Sequence, residues 1–248
     1  MIGQSLPYCG LPPVPAELLH RFNLDPPLIL GLVACILGHV LITPRGSGRL
    51  RALTGWAIAA AAFISPLCAL SVSLFSARVA QHMILVLLAA PLIASSGPVP
   101  QRRNDRRSLW LSAVSFFAAL WFWHMPVPYD ATFSSTPLYW LMHVTLFGSA
   151  ILLWRELLLH SPDRTVGALA VGALTSMQMG LLGAVLTFAG HPLFLWHLTT
   201  TQSWGLSPLR DQQLGGTLMW VPGIVLFLFA ALHSLNRLWA VLNVEKPA

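Results

Sequence analysis

The chain has 248 residues, of which 56% are hydrophobic and only 9% charged, and its mean hydropathy is +0.69. Such a composition cannot furnish a water-soluble surface, so the net charge of +6 does not signal a nucleic-acid-binding protein. The sequence predicts an all-α, polytopic integral membrane protein built as a seven-helix transmembrane bundle.

Residues 1–26 contain Pro7, Pro12, Pro13, Pro15 and Pro26 and no apolar core, which predicts a Pro-rich extracytoplasmic segment and no secretory signal. Seven stretches then reach the roughly 17 to 25 residues that cross a bilayer at about 1.5 Å per residue. They run from Pro27 to Thr43, Leu53 to Phe75, Ala77 to Ser96, Ser108 to His124, Pro137 to Leu159, Val166 to Ala189 and Gly215 to Val241. Residues 27–241 therefore form a single membrane domain, and 242–248 a cytoplasmic tail. With the N-terminus outside, all of the 14 Lys and Arg residues except Arg21, Arg78 and Arg210 fall on the inner side. That asymmetry predicts an N-out, C-in orientation, with the basic loops close to anionic lipid headgroups.

Cys9, Cys35 and Cys68 show no paired spacing, so no disulfide framework is expected. Acidic residues number 8 and none lies at the centre of a span, whereas a proton pump or ion-coupled transporter normally needs a buried carboxylate relay. Glu156 reads as a local ion pair with Arg155.

Three times a histidine adjoins a methionine: His82-Met83, His124-Met125 and Met142-His143. Each pair lies near the outer end of a predicted span, so the three imidazoles share one depth, and Met219 reaches a similar level from the seventh span. Imidazole and thioether suit copper, the thioether especially Cu(I), and not magnesium or calcium. The candidate metal ligands are thus His82, His124, His143, Met83, Met125, Met142 and Met219. Each alone has an ordinary alternative: an intramembrane histidine as a hydrogen-bond partner between helices, His124 as an interfacial anchor, a methionine as core filler. Facing histidines also leave bis-imidazole haem ligation open. His39 and His233 could meet in a second, inner site. His191 and His197 fall in an outer, interfacial loop, and His20 and His160 flank spans in solvent.

A wider set of motifs resembles a known family. Gln81-His82-Met83 precedes Ala90-Pro91-Leu92; Trp123-His124-Met125-Pro126 leads to Tyr129-Asp130; Leu141-Met142-His143 follows. Met179-Gly180-Leu181-Leu182-Gly183-Ala184-Val185-Leu186-Thr187-Phe188 comes next, and Leu206 to Gly216 with its Asp211-Gln212-Gln213-Leu214-Gly215 core runs into Met219-Trp220-Val221-Pro222-Gly223. Over about residues 70–240 the chain resembles the multi-span CtaG-type cytochrome c oxidase assembly factors. The resemblance implies a multi-pass protein of the bacterial plasma membrane that helps a haem-copper oxidase subunit mature, handling copper on the outer side, with a periplasmic copper donor as a further partner. Members often carry histidines where this chain has Arg78 and Tyr139 or Trp140.

Asp130, Asp211, Gln212 and Gln213 are the candidate supporting residues. Asp211, Gln212 and Gln213 would cap the seventh helix or hydrogen-bond a ligand imidazole, Asp130 would orient His124, and Arg78 could pair with one of these acids at the membrane surface. The expected role is metallochaperone and assembly factor rather than enzyme. A transporter of copper or a small solute and a metal-free scaffold are the rivals.

Overall fold

The computed structural model describes residues 6–97, 106–159 and 164–244, and their regular structure is entirely helical. The expectations on Arg102, Arg103, His160, the end of the tail and the side chain of His233 lie outside the described residues. The helices are α1 (Pro26–Ile42), α2 (Ser47–Ile64), α3 (Leu67–Ser73), α4 (Phe75–Met83), a π-helical turn (Ile84–Ala89) and α5 (Ala90–Ala94). They continue with α6 (Arg106–Trp123), α7 (Pro126–Ala131), α8 (Thr136–Leu158), α9 (Thr165–Phe188) and α10 (Pro208–Val244).

Among the described residues, four helical runs are long and apolar enough to cross a membrane: Phe75–Ala94, Thr136–Leu158, Thr165–Phe188 and Pro208–Leu232. The α2–α3 pair, bent by 48°, makes a fifth if it is one broken span, and α1 is a shorter apolar helix. The chain is a multi-pass, all-helical membrane protein.

The predicted second span is not continuous. Ser65 precedes Pro66, and the proline ring disfavours helical backbone in the residue before it; Ser65 is extended at φ −67°, ψ 168°. A second break at Leu74, with ψ 131°, turns the chain into α4. The third rod has its own irregularity. Pro91 has no N–H for the carbonyl four residues back, and the backbone widens into the π-helical turn directly after His82-Met83. Trp154 Nε1 of α8 donates to the Val86 carbonyl of that turn at 2.8 Å, while its ring stacks on Phe227 of α10 at 4.9 Å.

Helix α10 begins at Pro208, seven residues before the predicted start at Gly215, so Asp211, Gln212 and Gln213 are helical. Asp211 does not cap its own helix. Its carboxylate accepts from Phe75 N at 2.6 Å, from Ser76 N at 3.1 Å and from the Ser76 hydroxyl. It therefore satisfies the exposed N–H groups at the start of α4, where no side chain of α4's own N-cap residue does so. Gln212 accepts from Leu193 N at 2.7 Å and donates to the Leu186 carbonyl at 3.2 Å, tying the exit of α9 to α10. Below it the two helices touch backbone to backbone. A Cβ on Gly183 would stand 2.8 Å from the Gly216 carbonyl oxygen, and one on Gly216 2.6 Å from that of Gly183, the small-residue packing that membrane helices favour.

Three further expectations are corrected. Cys9 and Cys68 form a disulfide across 59 residues of chain, because the N-terminal segment folds back over α3; only Cys35 is free. Glu156 pairs with Arg164 at 2.6 Å, not with its neighbour Arg155. Asp130 accepts from Leu195 N at 3.1 Å and Trp196 N at 3.3 Å, shaping the loop after α9 rather than orienting His124. His197 lies in the expected loop after α9 and is buried within the protein, packed against Phe75, Tyr129 and Phe133, with Nε2 2.8 Å from the Tyr129 hydroxyl.

Two outcomes are expected. Asp211→Asn puts an amide where three donors point, and should cost about 1–3 kcal/mol, seen as a lower thermal midpoint in detergent with the helix content retained. Burial pushes the His197 imidazole down from 6.5 to about 3, whereas the unfolded chain takes up that proton near the ordinary value. Its contribution to stability is thus intact above about pH 6.5 and lost as pH falls towards about 3. His197→Gln should lower the midpoint at neutral pH but flatten its decline between about pH 6.5 and 4, checked by thermal scans across that range.

Candidate metal centre

The three predicted imidazoles converge. His82 and His143 each stand seven residues beyond the first residue of their helices, α4 and α8, about 10 Å along the axis; His124 follows the last residue of α6. The His82 ring lies 5.8 Å from His124 and 5.2 Å from His143, centroid to centroid. All three are enclosed, with exposures of 0%, 4% and 2%.

The hydrogen-bond pattern gives each ring a defined role. His124 Nδ1 lies 2.7 Å from the Leu120 carbonyl, and His143 Nδ1 lies 2.9 Å from the Tyr139 carbonyl. A carbonyl oxygen only accepts, so both Nδ1 atoms carry the proton and both Nε2 atoms are left with a lone pair. Neither Nε2 has a hydrogen-bond partner, and neither nitrogen of His82 has one. Buried polar atoms are ordinarily satisfied; four unpartnered imidazole nitrogens in one pocket are a concentration of unused donor capacity. An imidazole whose Nδ1–H is anchored on a carbonyl, presenting Nε2, is also the usual form of a metal-binding histidine.

As the side chains stand, no group of three His, Cys, Asp or Glu residues among the described residues is disposed to hold one ion. The rings meet edge to face, whereas a shared ion needs each nitrogen within about 2 Å of it. His82, tethered by neither nitrogen, is the ring free to turn.

The methionines are spread more widely. Met142 is buried with Trp123 and Tyr139, neighbours of His124 and His143. Met83 and Met219 lie in the central apolar core. Met125 is 49% exposed, apart from the enclosed rings. The Gln213 carbonyl, not its side chain, is engaged, accepting from Thr217 Oγ1 at 3.0 Å. Both nitrogens of His39 are occupied, by Trp56 Nε1 at 3.0 Å and the Ser96 hydroxyl at 2.8 Å, which removes it from an inner metal site.

Arg78 stands one turn before His82 and is 1% exposed. It makes no surface pair with an acid. Nη1 donates to Thr132 Oγ1 at 2.6 Å, and the guanidinium lies 4.0 Å from the Phe133 ring centroid, 5.3 Å from Tyr129 and 5.7 Å from Tyr139. Aromatic faces attract a cation, so a positive charge is held beside the pocket by rings.

Sequence reasoning missed Tyr139 and the residues around it. Tyr139 supplies the carbonyl for His143, stacks on that ring at 4.3 Å and on Tyr8 at 4.7 Å. Its hydroxyl lies 3.5 Å from Cys9 Sγ and 3.8 Å from Cys68 Sγ. The available signal was the four-residue spacing, which places Tyr139 over His143 and Arg78 over His82 on one helix face. On the other side, His143 borders an apolar cavity of about 370 Å³ between α1, α2 and α8, lined by Leu28, Leu32, Trp56, Phe63 and Phe147.

The family model described as "Cytochrome c oxidase caa3 assembly factor (Caa3_CtaG)" matches residues 46–240. No curated protein and no solved structure matches the chain. The matched segment runs from α2 into α10 and takes in all three pocket histidines, the π-helical turn and Asp211; the chain belongs to the caa3-type cytochrome c oxidase assembly factor family.

Proposed function

We propose that the protein supports maturation of a haem-copper oxidase by holding copper, as Cu(I), among His82, His124 and His143 and passing it to an apo-oxidase subunit. The observation that carries this reading is the set of four unpartnered, buried imidazole nitrogens, with two rings fixed so that Nε2 faces the pocket. A modest turn of His82 completes a two- or three-nitrogen site, and the neighbouring Met142 offers a thioether. The caged Arg78 bears on oxidation state. A permanent positive charge one turn from the pocket penalises a divalent ion about twice as heavily as a monovalent one, which favours Cu(I).

The bundle in this proposal has seven spans: α1, α2 with α3, the α4–α5 rod, α6, α8, α9 and α10. It sits in the bacterial plasma membrane with the N-terminus outside. The Lys and Arg asymmetry supports that orientation, and so does the Cys9–Cys68 bond, since disulfides persist in oxidising compartments. A chaperone is favoured over a transporter because mid-membrane positions such as Leu85, Val86, Phe116, Leu146 and Leu153 are apolar and buried. No covalent chemistry is required of the protein, and the copper is cargo received from a periplasmic donor.

Elemental analysis of purified protein equilibrated with Cu(I) tests the reading. Wild type should retain on the order of one copper per chain, and His82→Ala with His143→Ala should lose at least about tenfold in affinity. Equal retention by both would remove these imidazoles as the ligands, and no copper on either would leave only a metal-free scaffold.

A further inference from the structure

The segment before α1 covers the pocket, and one covalent bond holds it in place. Tyr8 lies on Tyr139 and against Trp140, with centroids 4.7 and 5.1 Å away, and Cys9 packs on the cluster of Trp123, Tyr139 and Met142. Pro13 is tied down through its carbonyl, which accepts from Ser73 Oγ at 2.9 Å and Trp204 Nε1 at 3.1 Å. The Cys9–Cys68 disulfide spans this cover and α3, and both sulfurs adjoin the hydroxyl of Tyr139, whose ring stacks on His143. With the cover down the imidazoles are sealed, at most 4% exposed. Among the side chains that line the mainly apolar cavity on the far side of His143, those of Cys35, Trp56 and Trp140 are the ones besides His143 that carry a sulfur or nitrogen atom. The sulfur pair stands beside Tyr139, at the covered edge of the histidine pocket.

We propose that the Cys9–Cys68 disulfide is a redox latch on the imidazole pocket. Opening it releases the cover formed by residues 6–14 and leaves two thiols at the pocket's edge as the first ligands for monovalent copper. The copper half rests on the function proposed above; the latch does not. The reductant is a dithiol of the extracytoplasmic thiol–disulfide exchange class. One of its thiolates attacks Sγ of Cys9, a partly exposed residue where Cys68 is buried, and Cys68 leaves as thiolate. The second reductant thiolate then attacks the mixed disulfide and releases Cys9. One S–S bond is broken in this protein and one formed in the reductant, and the two electrons and two protons end on Cys9 and Cys68. The freed thiols are soft donors suited to Cu(I).

The test uses full-length protein in detergent, either oxidised or reduced with a phosphine and desalted. Diethyl pyrocarbonate labelling of His82, His124 and His143, read by mass spectrometry, follows the cover without copper. Reduced wild type and Cys9→Ser with Cys68→Ser should both label at least about tenfold faster than the oxidised form. Equal labelling of the oxidised and reduced protein overturns the latch, and reduced wild type carries this arm even where the double variant does not fold. The second arm measures uptake of Cu(I), held by ascorbate and buffered with bicinchoninate. Uptake faster in the reduced form by at least about tenfold supports thiol-first loading. Equal uptake rates overturn it. Faster labelling with no copper bound in either form overturns both the loading role and the copper reading, while the latch stands.

Discussion

An imidazole inside an apolar bundle must account for two nitrogens, and in this protein the helix backbone accounts for only one of each pair. His124 and His143 anchor Nδ1 on the carbonyl four residues earlier, a bond that any helical histidine with the right rotamer can reach. The geometry of the remaining Nε2 is then fixed by the helix, not by a network of side chains. His82 has no such anchor. A buried nitrogen without a partner costs about 1–3 kcal/mol, so three such rings in one pocket are retained against a standing penalty that ligation would relieve.

Much of the molecule serves to bring α4 to that meeting point. Asp211, more than a hundred residues away in sequence, caps α4, and Trp154 fastens the π-helical turn that follows His82. Gln212 fixes the adjoining loop to α10. Asp211 and Gln212 are architectural in these contacts: the first holds the start of the helix bearing His82, the second the loop beside it. Arg78 and Tyr139 are neighbours in space, the guanidinium 5.7 Å from the ring centroid. A cation–ring contact and a ring stack on His143 thus meet at the edge of the pocket.

The helical rods and the matched depth of His82, His124 and His143 were legible in the sequence because hydropathy and a rise of about 1.5 Å per residue are local properties. The breaks were less so. Pro66 and Pro91 were visible, but whether a proline bends a span or is absorbed as a π-helical turn depends on neighbours such as Trp154 that replace the lost backbone bond. Asp211 was read as a cap for its own helix because sequence offers only local partners, whereas its donors belong to α4. The same limit hid the Cys9–Cys68 bond, the burial of Arg78 among Tyr129, Phe133 and Tyr139, and the burial of His197. Each depends on the N-terminal segment and the loop after α9 folding back onto α3 and α7, which no spacing rule encodes.

Copper K-edge X-ray absorption on the purified, Cu(I)-loaded protein tests the shared pocket most directly. At least two imidazole nitrogens at about 2 Å, with the outer-ring scattering of imidazole, are expected in wild type and absent after His82→Ala with His143→Ala. A wild-type spectrum without imidazole scattering would contradict ligation by these rings, however much copper the protein retained.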